Sequence, residues 1–230
     1  MGADALIFLQ ENLRPIGNGV EIAGLRRAAV FAEILKVPVT IYTSNFSPRL
    51  REHEGRLRRG GALAPGVTLL NLYEGLVNYF TSGHLSALEP IECDGPPIST
   101  VTMPLASGKT LIRRTYAKSS VNHLPGCDLF EAFDYEGKTI LCKGYKSTSA
   151  TPLKVTAIAL SDHANTVQHY LSESEFVCDA LCRQLDRSQR WHMLVDKNFM
   201  YRCVRNSLAR FGLEATLSSV VHSTHLRRDK

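Results

Sequence analysis

Apolar residues along this chain follow two patterns that alternate. Residues 5–9 form a short continuous apolar run, and residues 37–43 form a second one rich in β-branched side chains. Runs of this length between polar stretches predict strands buried on both faces, as in a parallel sheet. Between them, Ile22, Leu25, Ala28, Ala29, Ala32 and Leu35 recur at spacings of three and four. That spacing predicts a helix over 20–35 that buries those six side chains. Ser47-Pro48 starts a polar, arginine-rich helix over 48–59, which Gly60-Gly61 ends. Residues 66–72 predict a third strand, closed by Asn71-Leu72-Tyr73-Glu74.

The pattern then changes. Residues 76–108 carry Pro90, Pro96, Pro97 and Pro104 and give no clear periodicity. From 109 to about 168 the apolar residues predict an antiparallel sheet. Its strands are 110–118, a hairpin of 128–135 with 138–146 turning at Glu136-Gly137, and 153–160, where Val155, Ala157 and Ala159 alternate with Lys154 and Thr156. The first pattern resumes afterwards. Ser172-Glu173-Ser174-Glu175 predicts a helix start with acid in its first turn. That helix runs to about Leu185, followed by a strand over 191–195, a helix over 199–211 ended by Gly212, and a last strand over 218–222. The expected organisation is an α/β chain in three stretches: 1–80 and 171–230 share a parallel sheet, and 81–170 is an inserted antiparallel sheet.

Composition adds little constraint. The 230 residues are 44% hydrophobic and 21% charged, with a formal charge of +5. The excess suits an anionic ligand or membrane surface but is too small to indicate nucleic acid. The arginines Arg49, Arg51, Arg56, Arg58 and Arg59 make one basic helix, which is a solvated face or a docking face for a polyanion or anionic lipid. Six cysteines contain no Cys-x-x-Cys pair, so no zinc site is expected, and Cys178 and Cys182 share one helix face as small buried hydrophobes. With no signal-peptide pattern and no apolar run long enough to span a bilayer, the expected setting is cytoplasmic, with contact at the inner face of the membrane.

Candidate chemistry lies where strands end. Gly17-Asn18-Gly19 joins the first strand to a helix N-terminus, where free N–H groups and the helix dipole favour an anion such as a donor phosphate. The alternative is a plain tight turn. Glu21 in the first helical turn is a cleft residue or a surface cap. The run Val220-Val221-His222-Ser223-Thr224-His225 delivers His222 and His225 at the end of the last strand, as acid, base, sugar contacts or structural residues. Asp196-Lys197 follows another strand, as cleft residues or a solvated turn. Asn71 and Tyr73 are further cleft candidates.

Taken in order, these segments resemble a known family. They are Gly-Asn-Gly-Val-Glu-Ile-Ala-Gly-Leu-Arg-Arg-Ala from Gly17, Val-Thr-Ile-Tyr-Thr-Ser-Asn-Phe from Val39, Asn-Leu-Tyr-Glu from Asn71, Phe-Asp-Tyr-Glu-Gly-Lys-Thr-Ile-Leu-Cys-Lys-Gly-Tyr from Phe133, Val-Asp-Lys-Asn from Val195, and the segment at His222. The chain resembles the N-terminal half of family 4 glycosyltransferases of GT-B fold, nearest to the wall teichoic acid and poly(glycerol-phosphate) α-glucosyltransferases. The resemblance implies a Rossmann-like domain with an inserted antiparallel sheet. It implies retaining transfer of a hexose from a UDP-sugar to a polyol-phosphate, protein or similar acceptor, without metal or cofactor. It implies that Gly17, Asn18 and Gly19 meet the donor phosphates, that His222 is catalytic, and that the inserted sheet serves oligomerisation or a partner. The second GT-B domain, with its acidic motif and basic pair, is not found after His225. The chain is therefore expected to be inactive alone: a fragment, a half-enzyme, or a non-catalytic partner of a glycosyltransferase.

Overall fold

A computed structural model describes residues 4–15, 19–89, 95–117, 127–148, 151–195 and 198–219. The first apolar run forms β1 (Ala5–Gln10), buried along its whole length. It leads into α1 (Gly19–Leu35), and then β2 (Val39–Thr43), α2 (Leu50–Arg59) and β3 (Val67–Asn71) follow. After α3 (Leu72–Thr81) come the short β4 (Leu85–Ser86), β5 (Ser99–Pro104), β6 (Thr110–Ala117), β7 (Leu129–Tyr135), β8 (Lys138–Thr148), β9 (Thr151–Asp162) and β10 (Val167–Tyr170). The chain continues with α4 (Glu173–Gln184), β11 (Trp191–Val195), α5 (Asn198–Phe211) and β12 (Ala215–Ser219). It divides into two compact units, 1–73 with 177–230, and 74–176.

The first unit holds a five-stranded sheet in the order β12-β11-β1-β2-β3. All its pairings are parallel, with Leu6 opposite Val39 and Ala5 opposite Trp191. This is the doubly wound order of a Rossmann-like sheet, with two strands on each side of β1. Ile7, Phe8, Ile41 and Met193 form the buried centre of the sheet. On α4, Cys178 and Cys182 are buried free thiols, as their shared face predicts. The buried Asp179 accepts from Ser207 Oγ at 2.6 Å and Arg210 Nη1 at 2.5 Å, joining α4 to α5.

Helix α1 differs from its expected orientation. Leu25 and Ala28 are buried as predicted, but Ala29 and Ala32 are only partly covered, and Ile22 and Leu35 are exposed. The inward face is Glu21, Gly24, Leu25 and Ala28. Apolar residues occupy more than one side of this helix, so periodicity alone does not fix which side faces the sheet. A Cβ on Gly24 would lie 1.7 Å from Gln10 Nε2, so glycine there gives the room that the buried Gln10 amide fills.

The second unit carries the antiparallel sheet, in the order β10-β9-β8-β7-β6-β5, with β4 pairing to β9. The expected hairpin at Glu136-Gly137 is present, with positive φ of 49° and 77° at its two turn residues, as a tight primed turn requires. Phe130, Ala132, Cys142 and Ala159 build one layer of this unit's core, with Tyr116 stacked on Phe130 at 4.8 Å. Lys143 is buried and satisfied: its Nζ donates to Glu173 Oε1 at 2.7 Å and lies over the Phe176 ring at 5.5 Å. β5 falls in the stretch that gave no periodicity, and its closing Pro104 is tolerated because β5 is an edge strand.

Candidate functional site

The strand order reverses between β1 and β11, and in sheets of this kind ligands bind outside the carboxyl ends of the strands at that point. β1 ends on Gln10, β2 on Thr43 and β3 on Asn71. All three are polar and buried, at 8%, 1% and 1% exposure. Apolar strands that each close on a buried polar residue bring hydrogen-bonding groups to one edge.

Asn71 organises that edge. Its Nδ2 donates to Thr43 Oγ1 at 3.0 Å and to the carbonyls of Asn45 at 3.1 Å and Thr43 at 3.3 Å. Its Oδ1 accepts from the Tyr73 N–H at 3.0 Å. The last bond is an N-cap, because Asn71 directly precedes α3. The expected strand end at Asn71-Leu72-Tyr73-Glu74 is thus corrected: the strand stops at Asn71 and the next three residues open a helix. Tyr73 sets its ring edge-on to Phe46, with centroids 5.3 Å apart. Glu74 accepts from the Ala106 N–H at 2.9 Å.

The segment after β1 is fixed on two sides. The Ser44 and Asn45 N–H groups donate to the carbonyls of Gln10 and Glu11, and Asn45 Nδ2 donates to Asn12 Oδ1 at 2.9 Å. His53 Nδ1–H of α2 donates to the Leu13 carbonyl at 2.9 Å. Arg14 Nη2 pairs with Glu21 Oε1 of α1 at 3.1 Å. Glu21 is thereby a buried ion-pair partner rather than a surface cap. Below the edge, burial pushes the Tyr42 hydroxyl well above its usual value, partly offset by the bond that Gln184 Nε2 donates to it at 3.3 Å.

Of the candidates from sequence, the structure places Gly19, Glu21, Asn71 and Tyr73. Gly19 is exposed at the start of α1, and a Cβ there would meet nothing within 4 Å. Gly17, Asn18, Asp196, Lys197, His222 and His225 lie outside the described residues, as does most of the expected last strand, since β12 covers Ala215–Ser219. Gln10 and His53 were not signalled by any motif, and Asn45 lay in the quoted segment from Val39 without being singled out. The cue for Gln10 and Thr43 was available, a polar residue ending an apolar run. Among the described residues no group of His, Cys, Asp and Glu could hold a metal ion. No helix among them is long and apolar enough to cross a membrane.

No protein-family model matches this chain, and no curated protein does. Among solved structures it is similar to a mutant of S. aureus TarM in complex with fondaparinux, alpha-GlcNAc-glycerol and UDP. That match has a TM-score of 0.52 at 10% identity and covers 95% of this chain and 50% of the other. A second TarM crystal structure gives 0.52 at 12% identity, covering 99% and 51%. The pneumococcal O-GlcNAc transferase GtfA in complex with UDP and GlcNAc gives 0.40 at 11%, covering 96% and 48%. At these identities the likeness to TarM is one of fold. The chain spans about half the length of the structures it matches.

Proposed function

We propose that this chain is the acceptor-side half of a retaining glycosyltransferase of GT-B type. The reaction moves a hexose from a UDP-sugar to a polyol-phosphate, protein or similar acceptor. It is proposed for this chain acting with a second Rossmann-like half, supplied by the same polypeptide or by a partner. The carrying observation is the fold. A β12-β11-β1-β2-β3 parallel sheet, in which β1, β2 and β3 close on buried polar residues, is joined to an antiparallel sheet, and the chain is similar in fold to TarM, which was crystallised with UDP and alpha-GlcNAc-glycerol.

In this reading Gly17, Asn18 and Gly19 present backbone N–H groups to the donor diphosphate at the N-terminus of α1. Fixed donors aimed where negative charge grows on the departing UDP lower the barrier without reorganising. His222 lies near the reacting sugar, and Asp196, Lys197 and His225 line the cleft. Asn71 and Tyr73 hold the strand ends in place, because the Asn71 amide is already committed on both sides. The Arg14–Glu21 pair anchors the segment that leads into the glycine loop. No metal or cofactor takes part in the proposed reaction.

The test is transfer of labelled hexose from UDP-glucose or UDP-N-acetylglucosamine to glycerol-phosphate polymer, with the complementary half present. Transfer that requires this chain and is abolished by His222→Ala supports the reading. Full transfer without His222, or none with either donor, contradicts it.

A second reading, a non-catalytic assembly partner, draws on β5, which ends the antiparallel sheet and leaves one strand edge open to pairing among the described residues. A heteromeric complex that forms through the 74–176 unit and keeps full transfer when this chain carries His222→Ala would favour it.

A further inference from the structure

Six large hydrophobic side chains are exposed among the described residues, and four of them lie on α1: Ile22, Val30, Ile34 and Leu35. Ile22, Arg26, Val30 and Ile34 follow one another at four-residue steps, so they form a single line about 18 Å long on the helix. Ile34 is 68% exposed and Val30 49%. Beside this line runs a groove of about 580 Å³ between α1 and the end of α2, floored by Leu25, Ala29 and Leu57 and flanked by Arg14 and Arg26.

Charge gathers on the same segment. Between Arg14 and Ala62 there are nine arginines and lysines against four glutamates, so this stretch carries the whole formal excess of +5 and the remainder of the chain is neutral. The α2 carboxylates are each shared between two arginines: Glu52 pairs with Arg49 and Arg56, and Glu54 with Arg51 and Arg58. Arg26, Lys36 and Arg59 are exposed on the same segment, with Glu33 the one exposed acid of α1.

We propose that the α1–α2 face docks the protein on an anionic lipid surface. The aliphatic line of α1 enters the headgroup boundary, and the surrounding arginines and lysines meet lipid phosphates. Exposed aliphatic side chains in a row with a cationic surround are what an interfacial helix presents to such a bilayer. Charge decides against the obvious other occupant. A second copy meeting this face symmetrically would bring the same positive excess against itself. This inference does not depend on the glycosyl-transfer reading.

The experiment is co-sedimentation of the full chain with vesicles of phosphatidylcholine, and of phosphatidylcholine with about one-third phosphatidylglycerol. The expected result is binding to the anionic vesicles only, weakened as salt is raised. Arg26→Glu with Lys36→Glu should weaken binding by about 25-fold or more. Val30→Ser with Ile34→Ser should weaken it by at least about tenfold. All four positions are exposed, so both variants should keep the wild-type circular dichroism. Equal binding to both vesicle types, or binding to neither, overturns the proposal. Unchanged binding by the serine variant also overturns it, leaving a simple polyanion patch. So does a concentration-dependent dimer that the serine variant abolishes, because the face would then be covered by a second copy.

Discussion

Asn71 offers a sharp test of how the edge of the parallel sheet is built. Replacing it with alanine removes the cap on the Tyr73 N–H, which costs about 1 kcal/mol. It also removes the Nδ2 donor shared by Thr43 Oγ1 and the carbonyls of Asn45 and Thr43. At about 1 kcal/mol per lost bond, and more where a buried acceptor is left bare, the total should be about 2–4 kcal/mol. That is a large share of the roughly 5–15 kcal/mol that holds a typical domain together. Asn71→Asp separates the two roles. Aspartate caps as well as asparagine, so a residue that only capped would tolerate the change. Here the carboxylate would face three oxygens with no donor to offer, and the loss should match or exceed that of alanine. Urea unfolding followed by circular dichroism measures both, with the slope expected to be unchanged. A loss below about 1 kcal/mol for alanine, or a neutral Asn71→Asp, would mean that Asn71 does not hold this edge together.

Other expectations follow from single contacts. Gly24→Ala should change stability by less than about 1 kcal/mol, because the new Cβ meets only the far end of the Gln10 side chain, which can swing aside while alanine gains helix propensity. Gln10→Ala in the same background should show a coupling of no more than about 0.5 kcal/mol in the same unfolding assay. Burial, and secondarily the Asp179 carboxylate, pushes the Cys182 thiol up to about 12, so Cys182 should resist iodoacetamide at neutral pH in the folded protein and react when unfolded, as mass spectrometry would report. The hydrogen bond from Arg49 holds the Glu52 carboxyl down to about 2, below its ordinary 4.5. The small stabilisation from this lowered value is present in full above about pH 4.5 and disappears as pH falls through about 2, and salt should weaken it; an NMR titration of the Glu52 carboxyl carbon checks the value.

Much of the fold was legible because strand, helix and turn signals agreed locally. β1, β2 and β11 are apolar runs of strand length, and the Glu136-Gly137 turn has the residues its backbone needs. Two errors have physical causes. Helix α3 was missed because Leu72-Tyr73-Glu74-Gly75-Leu76-Val77 reads as strand by composition, with a glycine in its middle; the cue was Asn71, a preferred N-cap type whose bond to the Tyr73 N–H is local. The rotation of α1 was hidden because its apolar residues do not lie on one face. Contact with the sheet chose the side that carries Gly24, and left Ile22, Val30, Ile34 and Leu35 outside. Gly19, Glu21 and Asn71 were named from the sequence, and the structure adds contacts that the sequence does not show. Glu21 pairs with Arg14, and Asn71 ties strand ends together. Hydrogen bonds between residues 26 to 40 positions apart, such as Asn71 with Asn45 and His53 with Leu13, leave no periodic trace in a sequence.

Phosphate binding at Gly17, Asn18 and Gly19 is the step on which the proposed function turns. Saturation-transfer NMR of UDP with the chain tests it most directly, using wild type and Gly19→Trp. Gly19 has open space around its Cβ position, so the larger side chain should leave circular dichroism unchanged and obstruct only what binds there. Wild type should give a saturable UDP signal that Gly19→Trp loses. No UDP signal from wild type, or an equal signal from the variant, would contradict it.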